Sequence, residues 1–219
     1  MPTVAILPVK SFAAAKRRLA NGLEAGPRRA LAEAMFSDVL LALRRARAVD
    51  EILVVSSDHG AQRIAGGHGT MVLDDEERGH NVAAAIGIRA ALAQQFDRAL
   101  LIPGDCPLVD PHELGELIEW RAGARSALIV PDRHGTGTNA LLLTPPNSLA
   151  PSFGPGSCRR HVANAESHGT EAEVVDVASL ALDVDTPDDL AALQKTLATI
   201  HGRAAHTRGM LNQLVRSRT

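Results

Sequence analysis

Short apolar runs alternate with segments of helical periodicity along most of this 219-residue chain. Residues 4–9 and 51–56 are predicted strands, and residues 27–47 between them carry apolar side chains such as Leu31 and Met35 at helical spacing. Such alternation predicts a mainly parallel sheet that is covered by helices on both faces. The strand runs are continuously apolar, as expected for parallel strands that are buried on both sides.

The other predicted elements follow the same pattern. Strands are predicted over residues 70–73, 98–102, 126–130, 139–144, 172–177 and 181–184, and helices over 81–95, 111–121, 157–168 and 186–200. No helix separates 126–130 from 139–144, so we interpret these two strands as an antiparallel insertion at one side of the sheet. The sequence therefore predicts an α/β fold, with one domain over residues 1–200 and a frayed basic tail over 201–219 that carries four arginines and no acid.

Composition excludes several classes of function. A net charge of -2 and an aromatic content of 2% do not suit a nucleic-acid binder, which needs a basic face or stacking platforms. No apolar run approaches the ~18 residues of a membrane helix, so no membrane partner is expected. Cys106 and Cys158 match no zinc spacing and form no disulfide framework, and the first residues lack a signal-peptide pattern, which together favour a cytoplasmic location.

The loops that follow the strands are the candidate site, because ligands of open α/β sheets bind beyond the carboxyl ends of the strands. The first such loop, PVKSFAAAKRR over residues 8–18, combines small residues with Lys10, Lys16 and Arg17. Small residues let a phosphate approach backbone N–H groups, and the cations neutralise it. The alternative is a solvated basic start of a helix, and the loop is not a Walker-type phosphate loop.

Two further segments supply carboxylates. Asp105 lies in PGDCP directly after a predicted strand, where a carboxylate can reach a hard divalent cation. Asp183 and Asp185 alternate with Val184 in a predicted strand, so both carboxylates should project on the same side. Two adjacent carboxylates repel each other unless a cation or a proton intervenes. Turn capping by Asp105 and solvated acids at the other two positions are the alternatives.

The fourth candidate is a pair of glycine-rich segments, residues 135–139 and 153–161. Ser157 is a predicted N-cap of the following helix, whose N-terminal N–H groups would form an anion site. The hydroxyls of Thr138 and Ser157 add donors, and Arg159 and Arg160 could serve a carboxylate or a phosphate. A hairpin turn followed by an ordinary N-cap is the alternative. The sequence contains no recognisable constellation for a nucleophilic enzyme and no histidine pair at metal-ligand spacing.

These segments, in this order, resemble the guanylyltransferases of deazaflavin coenzyme (coenzyme F-420) biosynthesis, which act on 2-phospho-L-lactate or phosphoenolpyruvate. The resemblance covers roughly residues 4 to 195. The stretches that carry it are PVKSFAAAKRRLA, PGDCPL, DRHGTGTNALLL, FGPGSCRRH and DVDTPDDL. DVDTPDDL alone would fit many nucleotidyltransferases, whereas the set together is specific.

The resemblance implies a Rossmann-like nucleotidyltransferase fold and a role for each matching residue. It implies Mg²⁺ ligation and catalysis by Asp105, Asp183 and Asp185; acceptor binding by Thr138, Gly154 and Ser157; and nucleotide binding by Lys10, Lys16, Arg17 and Asn81. Asn81 matches a position near the nucleotide base, but His80 before it departs from the apolar residue of the family.

The function implied is transfer of GMP from GTP to a small phosphorylated carboxylic acid, with release of pyrophosphate. The identity of the acceptor among phosphoenolpyruvate, 2-phospholactate and 3-phosphoglycerate stays open at this level, because such analogues differ by few contacts. A nucleotidyltransferase of another pathway, with a molybdopterin or sugar phosphate as acceptor, and a non-catalytic nucleotide-binding module are the alternatives. A homodimer is compatible with the sequence, which leaves the oligomeric state open.

Overall fold

The computed structural model describes residues 1–13, 16–20, 22–75, 79–120 and 123–216. Its strands are β1 (Thr3–Pro8), β2 (Glu51–Val55), β3 (Met71–Leu73), β4 (Arg98–Leu101), β5 (Ser126–Pro131), β6 (Thr138–Thr144) and β7 (Glu171–Val174). Its α-helices are α1 (Ala25–Arg45), α2 (His59–Gly67), α3 (His80–Ala93), α4 (Pro111–Glu119), α5 (Ser157–Ser167), α6 (Pro187–Thr199) and α7 (Ala205–Arg216).

The strands form one sheet in the order β3-β2-β1-β4-β6-β5-β7. β1 pairs in parallel with β2 and β4, whereas β6 runs antiparallel to both β4 and β5. The antiparallel insertion predicted from the sequence is therefore confirmed, and β6 is its reversed strand. Because β6 is reversed, Thr138 at its start lies at the same edge of the sheet as the carboxyl ends of β1 and β4.

Helices cover both faces of the sheet, as the continuously apolar strands predicted. Ala5 and Leu7 of β1 face one buried cluster, which includes side chains of α1 and α4. Val4 and Ile6 face the other, which includes side chains of α3 and α5. The approach of α3 is close, because a Cβ on Gly87 would lie 2.3 Å from Cγ2 of Ile6.

The segment before α6 is not a strand, so the strand predicted over residues 181–184 is wrong. This stretch is extended coil that follows a short 3-10 turn, Ala178–Leu180. Its side chains nevertheless alternate as predicted, with Leu182 and Val184 buried and Asp183 and Asp185 partly exposed. Alternation needs only an extended backbone and not strand pairing, so Asp183 and Asp185 face the same cleft without being in a strand.

The prediction of a frayed tail after residue 200 is also wrong over the residues of α7. The buried carboxylate of Asp38 on α1 accepts hydrogen bonds from the backbone N–H groups of His206 (3.0 Å) and Thr207 (2.8 Å) at the start of this helix. Leu211 packs into a third apolar cluster with side chains of α1 and α6. A cap supplied by a residue 168 positions earlier in the chain leaves no local signal in the sequence. Residues 217–219 lie outside the described residues.

The part of the chain that the structure describes contains no helix long and apolar enough to cross a membrane.

Candidate active site

A cleft of about 970 Å³ lies at the edge of the sheet where β1 and β4 end. All four segments that the sequence singled out contribute to its walls. Its lining includes Val9, Lys10, Lys16, Arg18, His80, Asn81, Gly104, Asp105, Thr138, Asn139, Phe153, Gly154, Ser157, Asp183 and Asp185. The fold thus brings together loops that are separated by up to about 170 residues in the chain.

Lys16 forms ion pairs with two of the three aspartates. Its ammonium contacts Oδ2 of Asp105 and lies 3.0 Å from Oδ1 of Asp185, while only 6% of its side chain is exposed. Burial lowers the pKa of Lys16, but the charges of Asp105 and Asp185 outweigh that effect and raise the pKa above its usual value. Lys16 is therefore a fixed positive charge on the floor of the cleft.

Asp183 lies beside Asp105. Its negative charge is compensated less than the charges of Asp105 and Asp185, which both pair with Lys16. The amide of Asn139 donates to Oδ1 of Asp183 at 3.2 Å, and the same Nδ2 donates to the carbonyl of Leu180 at 2.8 Å. Burial, followed by the negative charge of Asp105, raises the pKa of Asp183 to about 6. Crowding of negative charge of this kind is typical of a site that receives a cation.

One oxygen of Asp105 remains without a partner. Oδ1 is buried and has no hydrogen-bond partner among the described residues, although Oδ2 is paired with Lys16. The backbone carbonyl of Asp105 accepts from the N–H of Val184 at 3.2 Å, which holds the segment of Asp183 and Asp185 against the loop after β4. Within the described ranges, no three acidic, histidine or cysteine side chains are grouped closely enough to hold a metal by themselves.

Asp189 fixes the backbone on which Asp185 lies. Its Oδ2 accepts from the N–H of Asp185 (3.1 Å), from the N–H of Thr186 (2.7 Å) and from the hydroxyl of Thr186 (2.7 Å). Thr186 in turn caps α6 through the N–H of Asp189, and Arg133 pairs with Oδ1 of Asp189 at 2.6 Å. Thr186 is therefore the N-cap of α6, and this capping box also positions Asp185.

A second carboxylate, Asp58, anchors the basic loop after β1. Its Oδ2 accepts from the hydroxyl of Ser11 (3.1 Å) and from the N–H of Phe12 (2.9 Å). Its Oδ1 accepts from the N–H groups of Gly60 (2.8 Å) and Ala61 (3.0 Å) at the start of α2. The sequence analysis did not identify Asp58, although an aspartate just before a helix is a recognisable capping signal.

The hydroxyls of Thr138 and Ser157 meet in the wall of the cleft. Ser157 Oγ lies 3.1 Å from Thr138 Oγ1, which also lies 3.0 Å from Nδ1 of His161. The N-cap predicted at Ser157 is wrong, since Gly156 occupies the cap position with a φ of 71° and Ser157 is the first helical residue. The change frees the Ser157 hydroxyl from capping and directs it to Thr138.

The loop that carries Gly154 is held to the start of α3. Asn81 Oδ1 accepts from the N–H of Phe153 at 2.8 Å, and Nδ2 of Asn81 donates to the carbonyl of Phe153 at 3.3 Å. The Phe153 ring packs edge-on against His80, with 5.1 Å between ring centroids. Asn81 thus lines the cleft and its amide also tethers the loop, whereas its role in nucleotide binding stays a prediction.

Three predicted cations are placed differently from expectation. Arg17 is exposed and does not line the cleft, where its neighbour Arg18 lies instead, because the turn after Lys16 directs Arg17 outward. The guanidinium of Arg160 donates to the carbonyls of Ser152 (2.7 Å) and Pro155, so it braces the loop. Arg159 is exposed and is also absent from the described lining. The structure thus places Arg18 rather than Arg17 in the wall of the cleft, and nucleotide binding by Arg17 stays a prediction.

The mostly parallel sheet and the cleft at its edge are those of the nucleotidyltransferase fold. The fold matches a solved nucleotidyl transferase from Methanothermobacter thermautotrophicus with a TM-score of 0.66 and 19% identity, covering 91% of this chain and 99% of that one. Residues 3–217 match the family described as guanylyl transferase CofC like, and the chain belongs to this family.

Two curated relatives show how similar the chain is to known family members. It is 54% identical, over 99% of its length and 98% of the relative's, to a phosphoenolpyruvate guanylyltransferase of Conexibacter woesei. It is 34% identical, over 98% of its length and 92% of the relative's, to a 2-phospho-L-lactate guanylyltransferase of Methanothermobacter thermautotrophicus. The family resemblance stated from the sequence motifs is thereby confirmed.

Proposed function

We propose that the protein transfers GMP from GTP to phosphoenolpyruvate or 2-phospho-L-lactate and releases pyrophosphate, as a step of coenzyme F-420 biosynthesis. The observation that carries the proposal is the convergence of four loops on one cleft, which brings the carboxylates, Lys16 and the Thr138–Ser157 hydroxyl pair together. We expect phosphoenolpyruvate to be the preferred acceptor, because the relative of that name has the higher sequence identity.

Two groups of residues in the cleft suit the two substrates. Lys10 and Lys16, in the loop after β1, supply positive charge for the triphosphate, and Arg18 adds a third cation. Thr138 and Ser157 supply hydroxyl donors for the acidic acceptor, and the N-terminus of α5 favours negative charge. Gly154 has a φ of 119° and no side chain, so a ligand can approach its backbone closely.

The chemistry requires no general base from the protein. An acceptor phosphate is already largely dianionic at neutral pH, because its second pKa is about 6. Its oxygen attacks the α-phosphorus of GTP, a new phosphoanhydride bond forms, and the bond to the departing pyrophosphate breaks. The residues of the cleft align the two anions and screen their charges, so positioning and electrostatics account for catalysis.

We infer that Asp105, Asp183 and Asp185 would hold Mg²⁺ together with phosphate oxygens of the substrates. The fit rests on the unpartnered, buried Oδ1 of Asp105 and on the raised pKa of Asp183 beside it. Mg²⁺ commonly takes one or two carboxylates and completes its shell with water and substrate phosphates, which matches a site without a closed cage of protein ligands. When bound, the metal supplies positive charge that offsets the repulsion between the two phosphorylated substrates.

The alternatives fit the cleft less well. A nucleotidyltransferase with a sugar or molybdopterin acceptor would need the same carboxylates but would not need the hydroxyl pair at Thr138 and Ser157. A non-catalytic nucleotide-binding module would not call for Asp105, Asp183 and Asp185 together in the cleft. Family membership also favours guanylyl transfer over both.

Pyrophosphate release measures the proposed function directly. The protein is incubated with Mg²⁺, with GTP, ATP or CTP, and with phosphoenolpyruvate, 2-phospho-L-lactate or 3-phospho-D-glycerate in parallel. We expect turnover with GTP and phosphoenolpyruvate or phospholactate, and at least 100-fold less with the Asp185→Asn variant. Absence of turnover with GTP and all three acceptors would overturn the proposal, and preference for CTP or ATP would overturn its nucleotide.

A further inference from the structure

His161 lies behind the hydroxyl pair and uses both of its ring nitrogens. The side chain is fully buried, and it does not belong to the described lining of the cleft. The backbone N–H of Ser152 donates to Nε2 at 2.9 Å, and Nδ1 lies 3.0 Å from Thr138 Oγ1. The Phe153 ring packs edge-on against the imidazole, with 5.2 Å between centroids.

The hydrogen bond from Ser152 fixes the position of the imidazole proton. A backbone N–H can only donate, so Nε2 must accept and therefore carries no proton. Burial, followed by the positive charge of Arg160, lowers the pKa of His161 to about 4, which keeps the ring neutral near pH 7. A neutral imidazole carries one proton, so that proton lies on Nδ1 and is donated to Thr138 Oγ1.

This direction determines what the hydroxyl pair offers to the cleft. Thr138 and Ser157 together hold two hydroxyl protons, and one of them is used in the 3.1 Å bond between the two oxygens. Because His161 donates to Thr138, the one remaining hydroxyl proton is not needed to bond His161, and this O–H stays free to point into the cleft. If the proton were on Nε2 instead, Nδ1 would accept a hydrogen bond from the Thr138 hydroxyl. The pair would then have no free O–H and would present only oxygen lone pairs to the ligand.

We propose that His161 is a positioning residue that fixes the Thr138–Ser157 pair as a hydrogen-bond donor toward the anionic acceptor substrate. The inference rests on the proposed function, in that the acceptor is a phosphorylated carboxylate bound at this pair in the cleft. This relay of hydrogen bonds runs from the Ser152 N–H through His161 to Thr138. Its free O–H donor matches a carboxylate or phosphate oxygen and disfavours binding of a cationic or donor-only group.

Two substitutions separate the halves of the relay. An asparagine amide ends near the position of Nδ1, so His161→Asn can still donate to Thr138 but loses the bond from Ser152. A glutamine amide ends near Nε2, so His161→Gln can accept from Ser152 but cannot also donate to Thr138. His168→Asn, which removes an exposed histidine just beyond the same helix, is the matched control.

Steady-state kinetics with GTP and phosphoenolpyruvate test the relay. We expect His161→Gln to raise the KM for phosphoenolpyruvate about tenfold or more, with the KM for GTP unchanged and kcat within about threefold of the parent. His161→Asn should have a KM for phosphoenolpyruvate close to that of the parent. Both variants lose one buried hydrogen bond, so their losses of thermal stability should be similar. Equal acceptor KM values in the two variants, or a KM for GTP that rises in parallel, would indicate a purely structural histidine and overturn the proposal.

The tautomer gives a second readout that does not depend on activity. The ¹⁵N resonances of the ring are measured in the full-length parent and assigned by their loss in His161→Asn. We expect a protonated Nδ1 and a bare Nε2 at pH 7.5. A proton on Nε2 would overturn the relay even if the parent enzyme is active, whereas an inactive parent with the expected tautomer would overturn the proposed acceptor and leave the geometry of the relay intact.

Discussion

Lys16 and Asp105 form an ion pair although 89 residues separate them in the chain. The pair joins the loop after β1 to the loop after β4, and Asp185 extends it to the segment before α6. The ammonium thereby screens two carboxylates that would otherwise repel each other. The same charge is placed to meet the phosphates of a nucleotide that enters the cleft.

Removal of Lys16 should therefore affect the nucleotide more than the acceptor. We expect Lys16→Ala to raise the KM for GTP about tenfold or more, because a charge-assisted hydrogen bond contributes roughly 1.5–3 kcal/mol. The KM for phosphoenolpyruvate should change little. Arg17→Ala is the control from the same turn, and it should behave like the parent because Arg17 is exposed and away from the cleft. A raised acceptor KM with an unchanged KM for GTP would contradict the assignment.

The three cleft aspartates should each be required for turnover. Asp105→Asn, Asp183→Asn and Asp185→Asn should lower kcat on the order of 100-fold or more at saturating Mg²⁺, because each removes charge at the site where the triphosphate reacts. Their folds should persist, since Asp183→Asn removes like-charge repulsion and Lys16 keeps one carboxylate partner in each of the other two variants. Asp188→Asn is the matched control, because Asp188 is exposed in the first turn of α6 and does not line the cleft. Near-parental activity in any of the three would remove that residue from the site.

Asp189 offers a test of whether the backbone bond to Asp185 positions that residue. We expect Asp189→Ala to lose about 1–2 kcal/mol of folding stability through the capping box, and to lower kcat because the N–H of Asp185 loses its acceptor. Urea unfolding and kinetics on the same preparation check both effects. A variant that loses stability but keeps the parental kcat would show that Asp185 does not depend on this bond.

Sequence reasoning located the cleft because its signals are local. The small and basic residues around Lys16 and the aspartate after β4 each follow a parallel strand, and the rule for parallel sheets brings the ends of such strands together. The glycine-rich approach to α5 is a local signal of a different kind, because it precedes a helix N-terminus. The fold class followed from continuously apolar strands that alternate with helices. The alternation of Asp183 and Asp185 around buried Val184 was also predicted, although the segment is not a strand.

The residues that the sequence did not reveal act through partners far away in the chain. His161 looks like any histidine of a helix until Ser152 and Thr138 are placed on its two nitrogens. Asp38 caps α7 from 168 residues earlier, so the tail looked frayed when only its own basic residues were considered. Ser157 looked like an N-cap because serine favours that position, but Gly156 adopts a positive φ and takes the cap position itself.

Gly154 should not accept a side chain. Its φ of 119° lies outside the range of L-residues, so Gly154→Ala is strained even though the nearest atom to a new Cβ, Nη2 of Arg160, is 3.8 Å away. We expect a loss of about 1–2 kcal/mol of stability and a raised KM for phosphoenolpyruvate, with the KM for GTP less affected. Gly202→Ala also places a side chain at a positive φ, 81°, and neither Gly202 nor its chain neighbours line the cleft, so it serves as the control for strain alone. Equal acceptor KM values in the two variants would show that no ligand lies against Gly154.

The buried imidazole of His161 should make folding stability depend on pH. Burial and Arg160 lower its pKa to about 4 in the folded protein, whereas an unfolded histidine titrates near 6.5. Between these values the unfolded chain binds more protons than the folded one, so stability is fully present above about pH 6.5 and falls as the pH decreases toward 4.

The size of this effect can be isolated by substitution. From pH 7.5 to 5.5, the difference between the two pKa values of His161 lowers the free energy of unfolding by about 1.4 kcal/mol. Urea unfolding at both pH values should show that loss in the parent. In His161→Asn the decrease in stability from pH 7.5 to 5.5 should be smaller by about 1.4 kcal/mol, even though the variant is less stable than the parent at both pH values. His168→Asn should retain the parental loss, because His168 is exposed. If His161→Asn retained the full parental dependence, His161 would not be held neutral in the folded protein, and the proton on Nδ1 that directs Thr138 toward the cleft would lose its physical basis.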